Sequence, residues 1–226
     1  YDRLDLLAPA PESTDPLKDV VLAGGGSYVD GRWVKADKTT LYQFGHYVGG
    51  KFITPDGTET FETVNPANGK PLAKISQGDA ALVDQAVKAA EEGLKTWKEL
   101  SPTARATHMY NLARALQQHS RLFAVAETED NGKRIAESRD ADIPLAIEHF
   151  IFHANLAARV HRDFPQHEAV GVVGQVIPWN FPLLMLAWKI APALAAGNTV
   201  VLKCSETTPI TAMLFAHLAH EAGIPA

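Results

Sequence analysis

From Asp79 onward the hydrophobic positions fall at intervals of three and four: Leu82, Val83, Ala86, Val87, Ala90 and Leu94. That spacing puts them on one stripe of a helix, and Asp79 stands where a side-chain acceptor would close the first free amides. Ser101-Pro102 repeats the same start, cap then proline, for a second helix carrying Met109, Leu112, Ala113 and Leu116. A third helix is expected from Ser120 to Asn131, with Gly132 as its stop. A fourth follows Ile143-Pro144 and runs through Ile147, Phe150, Ile151, Ala154 and Ala158.

Upstream of Asp79 the period is two rather than three to four. Tyr28–Val34 and Tyr47–Ile53 each read as a hairpin, with β-branched or aromatic residues on either side of a glycine-containing turn. Chance and duplication explain their likeness equally well. Thr60–Val64 alternates as a strand, Asn65-Pro66-Ala67-Asn68-Gly69 is a turn, and Pro71–Ser76 resumes an extended pattern, which predicts a small antiparallel entry region. Residues 1–27 are rich in Pro, Asp, Ser and Gly and read as an arm or linker.

After Phe164-Pro165 the character changes again. Gly171–Ile177 is a β-branched run that reads as a strand covered on both faces. Pro182–Ala196 is helical and ends at Gly197-Asn198, Thr199–Leu202 is a second buried strand, and Thr208-Pro209 opens a helix that closes at Gly223. Strand, helix, strand, helix is the grammar of an α/β fold with a parallel sheet and helical crossovers. Lys203 then lies at the carboxyl end of the second strand, where such sheets bind ligands. The expected organisation is an arm or linker with a short hairpin over 1–46, entry strands and helices over 47–165, and an incomplete nucleotide-binding sheet over 166–226.

Composition narrows the function classes. Of the 226 residues, 46% are hydrophobic and 21% charged, as in ordinary globular proteins. The net charge is -5 and the basic residues are scattered, which argues against nucleic acid and anionic membrane as partners. No apolar run reaches the roughly 18 residues of a membrane span; the most apolar region is broken by Asn180, Lys189, Asn198 and Lys203. Tyr1-Asp2-Arg3 does not open a signal peptide, so a cytoplasmic protein is expected, and the missing initiator methionine suggests an earlier start of translation. The single cysteine, Cys204, excludes an internal disulfide and reads as a small apolar packing residue. The histidines show no metal-ligand pattern; His149 and His153 stand one helical turn apart but lack a third ligand.

The segment Gly171–Glu206, with Pro178-Trp179-Asn180-Phe181-Pro182, Gly197-Asn198 and Lys203-x-x-Glu206 in order, strongly resembles the aldehyde dehydrogenase superfamily. A weaker likeness reaches back to Tyr47 through Val64–Gly69, and Pro-Ala-Pro-Glu-Ser near the start is similar to the arm of long, tandem-domain members. The resemblance implies an aldehyde-dehydrogenase-like α/β fold with a Rossmann-type parallel sheet. It implies oxidation of an aldehyde to a carboxylic acid with NAD, NADP being possible, by thiolate attack, hydride transfer and thioester hydrolysis. Asn180 matches the side-chain donor to the tetrahedral oxygen; removing such a donor typically raises the barrier by about 2.7 to 4 kcal/mol. Without its flanking residues it would read as a turn or cap. Lys203 and Glu206, with Ser205 between them, match the grip on the adenosine ribose, and a carboxylate there favours NAD over a 2′-phosphate. The competing reading is a strand-end lysine and a helix-start acid. Ile177, Pro178 and Trp179 would line the dinucleotide, and Phe181 and Trp188 match the substrate channel, although for Trp188 alone core packing is the favoured role. Members are usually dimers or tetramers, so a homo-oligomer is expected.

Three family elements do not occur in these residues: the Gly-Gln-x-Cys nucleophile, the Glu-Leu-Gly-Gly base and the glycine-spaced phosphate loop. Cys204 sits within the ribose grip and does not replace the nucleophile. The expectation is therefore the amino-terminal portion of a longer enzyme, unable to catalyse alone. Two alternatives stay open: a chain completed by a partner, and a non-catalytic binding or scaffold protein on the same fold. Either way the sheet would have an open parallel edge and an uncovered apolar face.

Overall fold

The computed structural model describes residues 26–29, 32–35 and 42–225. Most of the expected arm lies outside the described residues. Strands β1 (Gly26–Val29) and β2 (Arg32–Lys35) pair antiparallel with Tyr28 opposite Trp33; residues 30 and 31 between them are also outside the described set. Strand β3 covers Tyr42–Phe44. Strands β4 (His46–Val48) and β5 (Lys51–Ile53) form the second expected hairpin, turned by Gly49 and Gly50, both at positive φ. Strands β6 (Thr60–Asn65) and β7 (Lys70–Ser76) are antiparallel, and Asn65 Oδ1 accepts the Ala67 amide at 2.9 Å inside their turn.

The entry region is not wholly antiparallel, because β3 pairs with β7 in parallel and gives the order β3-β7-β6. Alternation specifies which face of a strand is buried and leaves the direction of its neighbour undetermined.

The first helix, α1 (Ala80–Glu99), is capped by Asp79, whose Oδ1 accepts the Leu82 amide at 2.8 Å. Of its expected stripe only Ala90 is fully buried; Leu82, Ala86, Val87 and Leu94 are half-buried and Val83 is 54% exposed. Gly93 and Trp97, outside that stripe, are buried as well, and the second half of the helix is fastened where Trp97 Nε1 donates to the Leu194 carbonyl at 3.1 Å and Thr199 Oγ1 to that of Ala90 at 2.9 Å. Helix α2 (Pro102–Gln118) starts at Ser101, whose hydroxyl accepts the Ala104 amide, and buries Met109, Leu112, Ala113 and Leu116. Helix α3 (Ser120–Asn131) stops at Gly132, φ 85°. A short turn (Ile135–Glu137) and a π turn (Ser138–Asp142) lead into α4 (Ile143–Ala157). The π turn has no local sequence signal; tertiary bonds from Thr128 to Ser138 and from Lys133 to Asp142 hold it.

The parallel unit follows as expected: β8 (Val172–Val176), α5 (Pro182–Ala195), β9 (Thr199–Lys203) and α6 (Ile210–Glu221). The two strands run from Val172 beside Thr199 to Val176 beside Lys203. Asn198 ties their beginnings together, accepting the Gly171 amide at 2.9 Å and donating to the Ala193 carbonyl at 3.1 Å. The expectation that both faces of these strands are covered fails. Gln175 is buried, but Val176 is 68% exposed and β9 is at most half-buried. A run of β-branched residues fits either a covered strand or one whose cover lies beyond the sheet's two described strands. The main core forms where α2, α4, α5 and α6 meet, with Phe150 stacked on Phe215 at 5.3 Å between centroids. No helix among the described residues is long and apolar enough to cross a membrane.

Candidate functional site

At the carboxyl end of β8 the ladder continues for one more bond, as the Ile177 amide donates to the Lys203 carbonyl at 3.1 Å. Ile177 is buried there, and the chain then turns outward through Pro178, Trp179, Asn180 and Phe181 before Pro182 begins α5. Trp179 is 61% exposed and Asn180 is also exposed. The β9 end lies at the same level, so the exposed turn and the Lys203–Glu206 segment share one edge of the sheet. Lys203 Nζ and Glu206 Oε2 are 2.7 Å apart on the surface, and that contact holds the Glu206 carboxyl below its ordinary value. Ser205 is buried, and its hydroxyl is engaged locally by the Thr207 amide and hydroxyl.

Under the turn lies a set of charged side chains absent from the sequence-based expectation. The α3 stripe that carries Phe123 and Ala124 continues into Glu127 and Asp130, both buried. Glu127 Oε1 accepts the Leu183 amide at 3.3 Å, in the first turn of α5, and its Oε2 accepts the Thr211 hydroxyl at 2.9 Å. Asp130 Oδ2 accepts the Ile210 amide at 2.9 Å, at the start of α6. One helix therefore caps both crossover helices from outside, satisfying amides that a helix start leaves free. Burial pushes the Glu127 carboxyl up to about 7, against the opposing pull of Lys133, and that of Asp130 up to about 8. Acids on an apolar helical stripe were the available signal, because a buried acid requires donors.

Lys133, just past Gly132, pairs with Asp142 at 2.5 Å and lies 3.8 Å from Glu127. Its ammonium also donates to the Asn180 carbonyl at 2.9 Å and sits 4.5 Å from the centre of the Phe181 ring. Asn131 Nδ2 donates to the adjacent Trp179 carbonyl at 2.6 Å.

Two expectations outside the turn need separate treatment. Trp188 is not a core residue: it is 49% exposed, with His149 against it at 5.6 Å between centroids. Residues 185 and 188 share one face of α5, opposite the buried Leu183, Leu186 and Ile190, and Phe181 precedes the helix with non-helical dihedrals. Cys204 is half-buried, and burial pushes its thiol up to about 11, which leaves it protonated at neutral pH. The His149 and His153 rings stack at 6.0 Å, and among the described residues no group of three or more His, Cys, Asp or Glu is placed to hold a metal ion. A separate cavity, lined by Asp56, Glu59, Gln77, Asp79 and Gln85 among others, shares no residue with the turn.

Comparison with known proteins gives this geometry a context. The model of the aldehyde dehydrogenase family matches residues 52–226. The long-chain-aldehyde dehydrogenase of Acinetobacter sp is 43% identical over 168 residues, covering 70% of this chain and 33% of that protein. The mitochondrial aldehyde dehydrogenase of Rattus norvegicus is 39% identical over 180 residues, covering 74% and 35%. Among solved structures, the NAD+ complex of an aldehyde dehydrogenase from Bacillus cereus superposes with a TM-score of 0.76 at 37% identity, covering 81% of this chain and 40% of that one. The chain thus spans about a third of the length of the curated relatives it matches. With the family model spanning most of the sequence and the parallel unit in the same fold, the chain belongs to the aldehyde dehydrogenase family.

Proposed function

We propose that the protein takes part in the oxidation of an aldehyde to a carboxylic acid with NAD, and that Asn180 supplies the donor for the oxygen that becomes negative when the carbonyl is attacked. The observation carrying this reading is the shared sheet edge: the turn bearing Asn180 leaves β8 at the level where Lys203 ends β9. Asn180 is exposed, and its side chain makes no hydrogen bond among the described residues, which leaves the amide available to a substrate oxygen. A donor held in place before charge develops stabilises the transition state more than the ground state.

The same edge fits a dinucleotide. Lys203 offers exposed N–H donors and Glu206 an exposed ionised acceptor, as ribose hydroxyls require, and Pro178 and Trp179 supply the apolar wall, whereas the side chain of Ile177, 3% exposed, belongs to the core beneath it. Ser205 supports that segment through its bond to the Thr207 amide, and need not reach the cofactor. The bound dinucleotide would supply the hydride acceptor. NADP remains compatible if Glu206 swings away from a 2′-phosphate. Phe181, just before α5, and Trp188 within it are both exposed and would border the aldehyde, and a homo-oligomer is the assembly we propose. The protonated thiol of Cys204 is unsuited to attack, so the nucleophile and base are assigned to residues outside these 226.

Aldehyde-dependent NADH formation by the protein as its gene encodes it tests this directly. The native residue should give turnover on at least one aldehyde, and Asn180→Ala should lower kcat by about 100-fold or more. Absence of turnover across a broad panel refutes the dehydrogenase reading, and an unimpaired Asn180→Ala refutes the role of Asn180.

A further inference from the structure

We infer that Lys133 is a positioning residue for Asn180: its ammonium, anchored on Asp142, holds the Asn180 peptide so that the side chain leaves the turn in one direction. The inference rests on the reading of Asn180 given above. The Asn180 side chain has no hydrogen bond among the described residues, so the backbone alone sets where its Cα–Cβ bond points, and the amide turns about χ1 and χ2 until a substrate oxygen engages it. That backbone is gripped at two successive carbonyls, Trp179 by Asn131 Nδ2 at 2.6 Å and Asn180 by Lys133 Nζ at 2.9 Å. Gly132 between the two donors has φ 85°, and this reversal brings both side chains to adjacent acceptors.

Charge balance alone does not require this arrangement. Asp142 at 2.5 Å already neutralises the ammonium, which has only 9% of its side chain exposed. The third contact goes to a neutral carbonyl, and that carbonyl belongs to the residue proposed to meet the substrate oxygen. The Phe181 ring 4.5 Å from Nζ closes a further side, so a normally mobile lysine is fixed in one place. Misplacing a reacting group by about 1 Å typically lowers rate by about 100-fold, so the hold matters to catalysis.

The test combines kinetics with hydrogen exchange in the protein as its gene encodes it. Lys133→Met joined with Asp142→Asn neutralises the pair together and avoids a stranded buried charge; Asn131→Ala removes the neighbouring donor without changing charge. Each is expected to lower kcat by about 10- to 100-fold while aldehyde KM stays within about threefold. Exchange of the Met185 amide, which is held by the Phe181 carbonyl at 2.8 Å, should accelerate as the turn loosens, while that of Met109 and Leu112 in α2 stays unchanged. In an Asn180→Ala background the same replacements should change kcat by less than about twofold, because what they position is gone. Losses that multiply with Asn180→Ala, or unchanged exchange at Met185, would overturn the inference. If the native protein oxidises no aldehyde, the dehydrogenase reading falls by itself; accelerated exchange then upholds the hold on the turn, and unchanged exchange refutes it.

Discussion

Replacing Glu127 by Gln should raise stability at neutral pH and leave it nearly unchanged in acid. The native carboxyl is fully buried, and burial lifts it from 4.5 to about 7. A carboxyl raised by folding binds its proton more tightly in the native state, so the native state loses stability as pH climbs from the unfolded value toward the folded one. The window is about 4.5 to about 7. At about 1.36 kcal/mol per unit, a rise of about 2.5 units gives an upper bound of about 3.4 kcal/mol. Glutamine keeps the shape, accepts the Leu183 amide through its oxygen and, with its nitrogen as donor, reverses the bond that the Thr211 hydroxyl now gives to Glu127, which makes the gain smaller than the bound. Urea denaturation of native and Glu127→Gln proteins across this window gives the difference directly, and titration of the other carboxyls largely cancels in it. The difference should grow in favour of Gln with rising pH. A flat or opposite trend would show that the Leu183 amide, the Thr211 hydroxyl and Lys133 outweigh desolvation and keep Glu127 ionised in the fold.

Gly132→Ala should destabilise the protein by about 2 kcal/mol or more in the same denaturation assay, since L-residues resist positive φ; the position has φ 85° and a Cβ there would lie 2.6 Å from Pro66 Cγ. A loss no larger than that of an exposed surface alanine would contradict this. Cys204 should react with a thiol-specific disulfide reagent far more slowly in the native protein than in urea, because its thiol is half-buried and raised to about 11; equal rates at neutral pH would refute that reading.

Much of the architecture was legible because it depends on local rules. Asp79, Ser101, Gly132 and Gly197 mark helix ends through capping or positive φ, and each does so in the structure. The βαβα order and the place of Lys203 at the carboxyl end of the second parallel strand also followed from pattern. What local rules do not encode is contact between distant segments. The parallel pairing of β3 with β7, the π turn before α4 and the exposure of Val83 and Trp188 all depend on which neighbour arrives. The same holds for Lys133: a lysine after a helix-stop glycine looks like a solvated cation until Asp142 and the Asn180 carbonyl are brought to it. The candidate site residues rest on resemblance, and the contacts beneath them on geometry.

The two acids of α3 also act as a ruler. Glu127 and Asp130 are three residues apart, a climb of about 4.5 Å at about 1.5 Å per residue. One helix thus carries two marks, one set against the start of α5 and the other against the start of α6. The helix that follows the Asn180 turn and the helix that follows the Lys203–Glu206 segment are thereby tied to a single rigid element. Insertion of a single residue between the marks would swing one of them about 100° around the helix axis and break one of the two ties.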